Sequence, residues 1–537
     1  MKRISILVLL AVGAAFGITA SAASAGSVDQ TEKLRKAVKL EGILQHERKL
    51  QRIADAHQGT RAAATIGYEA SAEYVADRLD EAGYRVRTKP FDFPTWRENS
   101  TPELEMISPT PRTYTAGGPE DDDSPDVDFI TVQFSTSGEV EAEVIPTTDI
   151  VIPPGVDPNT STSGCEPEDF PAETEGNISL IQRGTCAFTQ KFANAVDAGA
   201  AGVIMFNEGQ PLEGRENALF RAAEPYYPIP AVFTSFSVGE ELYNAAQSAE
   251  GATARIKVDA ETVPRRQDNV IATSGEGDPE NIVVVGGHLD SVPAGPGIND
   301  NGSGVSTILE IAEEIDELNL KPKNRLRFAF WGAEESGLIG SSQYVAQLTD
   351  EEREDVLLNL NFDMLASPNF VRFVYDGNTD ETPPPPGGAP PGSDVIEAEF
   401  LKYFDSQGLE TEATAFDGRS DYGPFIAQGI PAGGLFSGAE VHKTPEQVTT
   451  YGGVADEQYD PCYHEVCDTY ESVTGFPPGL PALDGNGTVS LDQLSDGAAH
   501  AAWHFARKKD PLGDAEDATS KRLKPYRLDY RGHHSTR

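Results

Sequence analysis

Positive charge is scarce in this chain: 42 Lys and Arg stand against 86 Asp and Glu in 537 residues, a formal net charge of −44. A surface of that sign repels phosphate, which argues against nucleic acid as a partner. It also keeps the chain soluble, at some cost in self-repulsion. Cysteine is nearly as sparse, with Cys165, Cys186, Cys462 and Cys467 making up the whole complement of 4. They fall into two local pairs. In an oxidising compartment an even count at short spacing suggests two disulfides, Cys165 with Cys186 and Cys462 with Cys467. Zinc thiolate sites are the rival reading, but the spacings match no finger pattern. Beyond the first residues no apolar run is long enough to span a bilayer, so no membrane association is expected. Apolar residues themselves are not short: 38% of the chain, with 8% aromatic, is ordinary for a globular protein. The length allows two or three domains.

The chain opens like an export signal. Lys2 and Arg3 supply the charged start, Ile4 to Ile18 is a short apolar run, and Ala20-Ser21-Ala22 and Ala23-Ser24-Ala25 offer small residues for cleavage. Residues 1–25 are read as this signal, and the mature protein as secreted and extracellular. Its removal takes two positive charges with it and leaves a net charge of about −46.

Ser71 to Ala82 puts Ala72, Val75, Leu79 and Ala82 on one helical face; Gly83 ends that helix, and Tyr84 to Phe93 alternates like a strand. From about Glu139 to Val258 the texture changes to short strands (Ile178 to Gln182, Val203 to Phe206, Ala231 to Phe233) set between Gly- and Pro-rich turns. Nothing there has catalytic spacing, which points to a binding or lid module. From Asn281 buried strands alternate with helices: Ile282 to Val285, Gly304 to Ile315, Leu326 to Trp331, Leu338 to Gln347 and Leu357 to Phe362. That alternation predicts an α/β fold, a mixed and mostly parallel central sheet with helices on both faces. Thr382 to Gly392, with six prolines, must be a surface loop. Lys521 to Arg537 is a basic tail on an acidic protein.

Each of these later strands ends in a polar cluster, where an open α/β sheet collects its active residues. The clusters are Gly287-His288-Leu289-Asp290, then Gly297-Ile298-Asn299-Asp300-Asn301-Gly302 in the following loop, Trp331-Gly332-Ala333-Glu334-Glu335-Ser336, and Asn361-Phe362-Asp363. Cys462-Tyr463-His464-Glu465-Val466-Cys467 adds a last one. Imidazole and carboxylate donors in this number suit two zinc ions with one carboxylate bridging them. Such a pair lowers the pKa of a shared water and polarises the scissile carbonyl. The water's proton needs a carboxylate beside the metals but not bound to them. Adjacent Glu334 and Glu335 offer one of each kind, and Asp290 lies near enough to His288 to accept its other ring N–H. His500 and His504 sit four apart on a predicted helix, but no glutamate lies between them, so they read as helix-face residues. His46, His57, His533 and His534 have no acidic partner pattern, and a pocket role for His442 rests on little.

His288-Leu-Asp-Ser, Gly-Ile-Asn-Asp300-Asn-Gly-Ser-Gly, Trp-Gly-Ala-Glu334-Glu335, Asn-Phe-Asp363-Met and Tyr-Asp-Pro-Cys-Tyr463-His464 closely resemble the successive motifs of the M28 family of two-zinc aminopeptidases, typified by secreted Streptomyces enzymes. The block from Cys165 to Phe206 resembles the protease-associated (PA) domain that some members carry as an insertion. Together the likenesses cover about Glu41 to Phe505. They imply a zinc exopeptidase fold with an inserted, smaller, β-rich PA domain. They also imply that Asp300 bridges both zincs, with His288 and Asp363 on one metal and Glu335 and His464 on the other. Glu334 would be the general base in attack by a metal-bridged hydroxide, and Tyr463 would hydrogen-bond the oxyanion. Arg419, in Asp417-Gly-Arg-Ser-Asp421-Tyr, would help Glu334 hold the substrate's amino end. The family often has a cis peptide after the bridging aspartate, here Asp300-Asn301. A disulfide between Cys462 and Cys467 would hold Tyr463 and His464 in place.

The function expected is a secreted, monomeric zinc aminopeptidase that cleaves the first peptide bond of peptides with a free amino terminus and favours large apolar first residues. A carboxypeptidase of the glutamate carboxypeptidase type and a non-catalytic protein of the transferrin-receptor kind are the alternatives on this scaffold. The expected division is 1–25 signal, 26–135 first part of the peptidase domain, 136–260 PA domain, 261–507 catalytic domain and 508–537 tail.

Overall fold

The computed structural model describes residues 31–117, 126–211, 214–220, 228–475, 477, 480, 486–513 and 525. The expected export signal and nearly all of the basic tail lie outside these residues.

The apolar run Ile282–Val285 sits inside the strand Asp278–His288, the centre of the catalytic sheet. Asn324–Trp331 and Val356–Phe362 pair with it in parallel on its two sides, and Ala432–Phe436 extends the parallel set beyond the latter. Antiparallel strands flank this core, with Thr253–Thr273 beside Asn324–Trp331 and Phe373–Tyr375 beside Ala432–Phe436. Successive side chains of a strand point to opposite faces, and the two faces are buried in different clusters. Val283, Val285, Phe328 and Leu360 pack against the helices Leu40–Ala56, Ile66–Glu81, Gly304–Glu317, Ser393–Gln407 and Asn486–Arg507. Ile282, Val284, Ala329 and Trp331 pack on the other face against Tyr344, Val345 and Phe425, from the short helices Ile339–Ala346 and Gly423–Ala427. The result is the mixed, mostly parallel sheet with helices on both faces that the sequence pattern predicts. Each fully covered aliphatic side chain contributes about 1.5–3 kcal/mol.

The Ser71–Ala82 periodicity belongs to the helix Ile66–Glu81, whose N-cap Thr65 accepts from the Tyr68 N–H. Gly83 follows at φ 76°, where glycine has no steric penalty. The strand after it runs far past Phe93, from Arg85 to Ser108. It pairs antiparallel with Thr253–Thr273 from Arg85↔Thr273 to Ser108↔Thr253, forming a long two-stranded ribbon. One end of the ribbon joins the catalytic sheet at Arg327↔Thr273; the other joins a second sheet at Gly138↔Val258.

That second sheet contains Gly138–Pro146, Ile178–Gln182, Gly202–Phe206 and Ala231–Thr234 in parallel order, closed by antiparallel Phe129–Thr131. Alternate residues again serve two cores: Leu180, Ile204 and Phe206 pack on the side of Val238 and Leu242, and Ile181, Val203 and Met205 on the side of Phe188 and Phe192. Both expected disulfides are formed, Cys165–Cys186 and Cys462–Cys467, and no free cysteine is present among the described residues. No described helix is long and apolar enough to cross a membrane. Residues 382–392 form turns and irregular backbone, as the prolines require.

Candidate metal centre

The donors collect at the carboxyl ends of the parallel strands. His288 ends the central strand, Glu334 and Glu335 lie in the turn after Asn324–Trp331, and Asp363 follows Val356–Phe362. Asp300 lies in the turn that opens the helix Gly304–Glu317. His464 comes from the loop closed by Cys462–Cys467 and has φ 61°. Asp300 faces both histidines, with Oδ1 3.0 Å from His288 Nε2 and Oδ2 3.3 Å from His464 Nε2. Asp363 Oδ1 lies 3.2 Å from His288 Nε2, and Glu335 Oε2 lies 3.1 Å from His464 Nε2. Two donor sets therefore share one aspartate: His288, Asp300 and Asp363, and Asp300, Glu335 and His464.

Ala333, at φ 55°, turns the chain at the strand end, and the consecutive Glu334 and Glu335 side chains go to different sides. Glu334 Oε2 approaches the His288 side at 4.0 Å while Glu335 goes to His464. The Glu334 N–H donates to Asp290 Oδ1 at 3.2 Å. Asp290 thus differs from its expected place: the His288 Nδ1 lies 3.1 Å from the Asp290 main-chain oxygen and 3.8 Å from its carboxylate. The carbonyl orients the ring, and the carboxylate orients the Glu334 turn. Tyr463 stacks on His464 with ring centroids 3.9 Å apart. Arg419 donates to Glu440 Oε1 at 2.7 Å and to the Tyr463 hydroxyl at 3.4 Å.

The Asp300 turn is fastened from several directions. The carboxylate of Asp468 accepts the N–H groups of Asn299 and Asp300 at 2.7 and 2.9 Å. Asn301 Nδ2 donates to the Phe362 carbonyl at 2.9 Å, and its Oδ1 accepts from the Gly304 and Met364 N–H groups. Arg61, fully buried, donates to the carbonyls of Leu289, Pro296 and Gly297. Asp363 Oδ2 accepts from the Ser420 hydroxyl at 2.5 Å, and Ser420 in turn accepts from Asn361 Nδ2 at 2.8 Å. The Asp300-Asn301 peptide is cis.

Burial, and the close charges that oppose or add to it, sets the electrostatics. Burial pushes Glu334 well above the ordinary carboxylate range, with His288 opposing and Glu335 adding to the rise. Burial likewise raises Asp290 to about 7 and Asp421 to about 8. For His464 burial acts downward but is outweighed by Glu335 and Asp300, which hold it at about 10. His288 is raised in the same way, against its burial, by Asp363 and Glu334. All four oxygens of Asp300 and Glu335 are buried, and the polar groups facing them are the imidazoles of His288 and His464. Anionic oxygens this deep call for positive charge beside them, and a cation held between these carboxylates and imidazoles would supply it. Tetrahedral zinc with bonds near 2.0–2.2 Å separates its ligand atoms by about 3.3 Å, close to the spacings observed. The residues present fit a pair of such ions.

His46 belongs to a different group, with Tyr74, Glu310 and Glu313, and His57 binds the Ile53 carbonyl. His442 makes an isolated bridge with Gln458, and His533 and His534 lie outside the described residues. Arg61 and Asp468 were not singled out from the sequence, and Asp460 stood in the quoted Tyr-Asp-Pro-Cys motif without a role. No local pattern marks Arg61 or Asp468, since they act on loops more than 150 residues away. Asn299, Ser420 and Asp421 stood inside quoted motifs without an assigned role.

Fold and site define a metallopeptidase, and comparison with known proteins agrees. The model of peptidase family M28 matches residues 269–475, and that of the PA domain matches 146–242. An aminopeptidase of Pseudomonas aeruginosa strain PAO1 is 43% identical over 438 residues, covering 81% of this chain and 77% of that protein. Leucine aminopeptidase 2 of Trichophyton rubrum is 36% identical over 454 residues, 82% of each chain. The solved structure of a zinc aminopeptidase from Bacillus subtilis has a TM-score of 0.58 at 21% identity, covering 90% of this chain and 98% of the other. The chain therefore belongs to peptidase family M28. Within that family it falls among the aminopeptidases, with a PA domain carried on the ribbon between residues 85–108 and 253–273.

Proposed function

We propose that this M28 aminopeptidase works with two zinc ions per chain and removes apolar residues, leucine foremost, from peptides with a free amino terminus. One observation carries the reading: the two oxygens of Asp300 face two histidines that have different carboxylate companions. His288 and Asp363 would hold one ion, Glu335 and His464 the other, and Asp300 both. Bound there, the ions supply positive charge that acidifies a water and polarises the scissile carbonyl.

The chain's own residues do the rest. Glu334 lies beside the donors, its carboxyl held in a proton-binding range by burial, and takes the proton of the attacking water before passing it to the leaving amine. Asp290 holds the Glu334 backbone so that this carboxylate stays on the His288 side. The Tyr463 hydroxyl stabilises the oxyanion, with the Arg419 guanidinium at its oxygen to keep it a donor. A guanidinium has no acceptor for an ammonium group. Arg419 therefore serves the substrate's amino end by ordering carboxylates, as it orders Glu440.

Leucine preference is supported by the printed name of the Trichophyton relative. Two formed disulfides and the opening Lys2-Arg3 followed by an apolar run support a secreted protein, which we take to act as a monomer. We place the domain limits at 1–25, 26–135, 136–260, 261–507 and 508–537, with the PA domain limiting access of long chains to the site. Leucyl, N-acetyl-leucyl and C-terminal glutamyl substrates, each with and without a chelator, test the activity. The expected outcome is chelator-sensitive cleavage of the free leucyl substrate alone; cleavage of the acetylated or glutamyl one would overturn the reading.

A further inference from the structure

A second cluster with metal-binding chemistry stands apart from the catalytic centre in the chain. The helix Asn486–Arg507 presents His500 and His504 one turn apart, and the helix Ser393–Gln407 brings Glu399 against them. Glu399 Oε1 lies 2.9 Å from His500 Nε2 and 2.8 Å from His504 Nδ1. All three side chains are only 10–12% exposed. The other nitrogen of His500, Nδ1, lies 2.7 Å from the Thr31 hydroxyl, and Tyr403 stacks on the ring at 4.6 Å. The second Glu399 oxygen faces Lys402 Nζ at 3.2 Å.

We propose that Glu399, His500 and His504 form a structural site for one further zinc ion, distinct from the catalytic pair. Two imidazoles at i and i+4 of a helix with one carboxylate from elsewhere form a donor set that zinc accepts with a water as fourth ligand. The Thr31 hydroxyl, 2.7 Å from His500 Nδ1, offers an acceptor for the Nδ1–H of the tautomer that ligates a metal through Nε2. Lys402 takes the outer carboxylate oxygen and leaves Oε1 to bind through a single atom. The present spacings are those of hydrogen bonds. A zinc would open them by about 0.5 Å, a shift that the Glu399 side chain can supply by rotation. The ion would tie the helices 393–407 and 486–507 to each other, with the chain at Thr31 attached through His500.

The test uses the full chain, stripped with a chelator, reloaded with excess Zn2+ and dialysed, as wild type and as the Glu399→Gln and His504→Gln variants. Wild type is expected to retain one zinc more per chain than either variant at equal kcat, and to show a larger rise in Tm on loading. Because the readout is a difference, it does not depend on how many ions the catalytic centre holds. Equal zinc content in wild type and both variants overturns the proposal. If a variant does not fold, a zinc-edge anomalous map of wild type decides: density between Glu399, His500 and His504 supports the site, and its absence in a zinc-loaded crystal refutes it.

Discussion

Replacing Ser420 with alanine removes one oxygen from the buried chain Asn361–Ser420–Asp363 and changes no charge. The hydroxyl donates to Asp363 Oδ2 at 2.5 Å and accepts from Asn361 Nδ2 at 2.8 Å, and Ser420 is 4% exposed. A hydrogen bond to a charged group contributes about 1.5–3 kcal/mol. At about 1.4 kcal/mol per tenfold, losing it should weaken the ion on His288 and Asp363 roughly 10–100-fold, the usual scale for a group that orients a metal ligand. Nothing on the Glu335 and His464 side touches Ser420 directly, so the other ion should be nearly unaffected. Competition against a zinc-binding dye should resolve two affinities in wild type and show one of them lowered in Ser420→Ala, with kcat close to wild type once zinc saturates. Two affinities within about twofold of wild type would show that this hydroxyl does not position Asp363, and the reasoning would fail.

Glu334→Gln keeps the shape of the proposed base without its basicity, and should cost about 10²–10⁴ in kcat while zinc content stays at the wild-type level. Opening the Cys462–Cys467 loop with paired serines should lower stability by about 2 kcal/mol from loop entropy. It should also lower activity further, as Tyr463 and His464 lose their frame; a change in Tm with full activity would contradict that role. Lys191, buried in the PA domain and donating to the Ser163 carbonyl, has its pKa lowered to about 8, chiefly by burial. The unfolded chain then binds more protons between pH 8 and 10.5, so stability rises with pH across that window, by roughly 3 kcal/mol in total. Lys191→Met should flatten that rise in denaturant titrations; an unchanged slope would show that Lys191 is not its source.

The catalytic half was legible because its donors are contiguous with the strands that carry them. His288, Glu334, Glu335 and Asp363 each follow a β-branched or aromatic run, so strand and candidate ligand are read in one pass. The ribbon was not legible to its full length. Beyond Phe93 its residues are largely half-exposed and include Pro94 and Pro102, so the period-2 burial that marks a strand is missing until Leu104. Asp290 was legible as a neighbour of His288 but not in its orientation, since a carbonyl and a carboxylate of one residue compete for the same ring. Arg61 and Asp468 hold main-chain groups, and main-chain groups leave no trace in side-chain spacing. His500 and His504 gave half a site; Glu399, 101 residues away from His500, completes it only once two helices are packed.

The central claim is that Asp300 is shared by two ions, and a zinc-edge anomalous difference map from zinc-loaded crystals tests it most directly. The account predicts two peaks about 3.5–4 Å apart, one beside His288 and Asp363, the other beside Glu335 and His464, with Asp300 between them. A single peak at this centre, or two with Asp300 turned away from either, would contradict it.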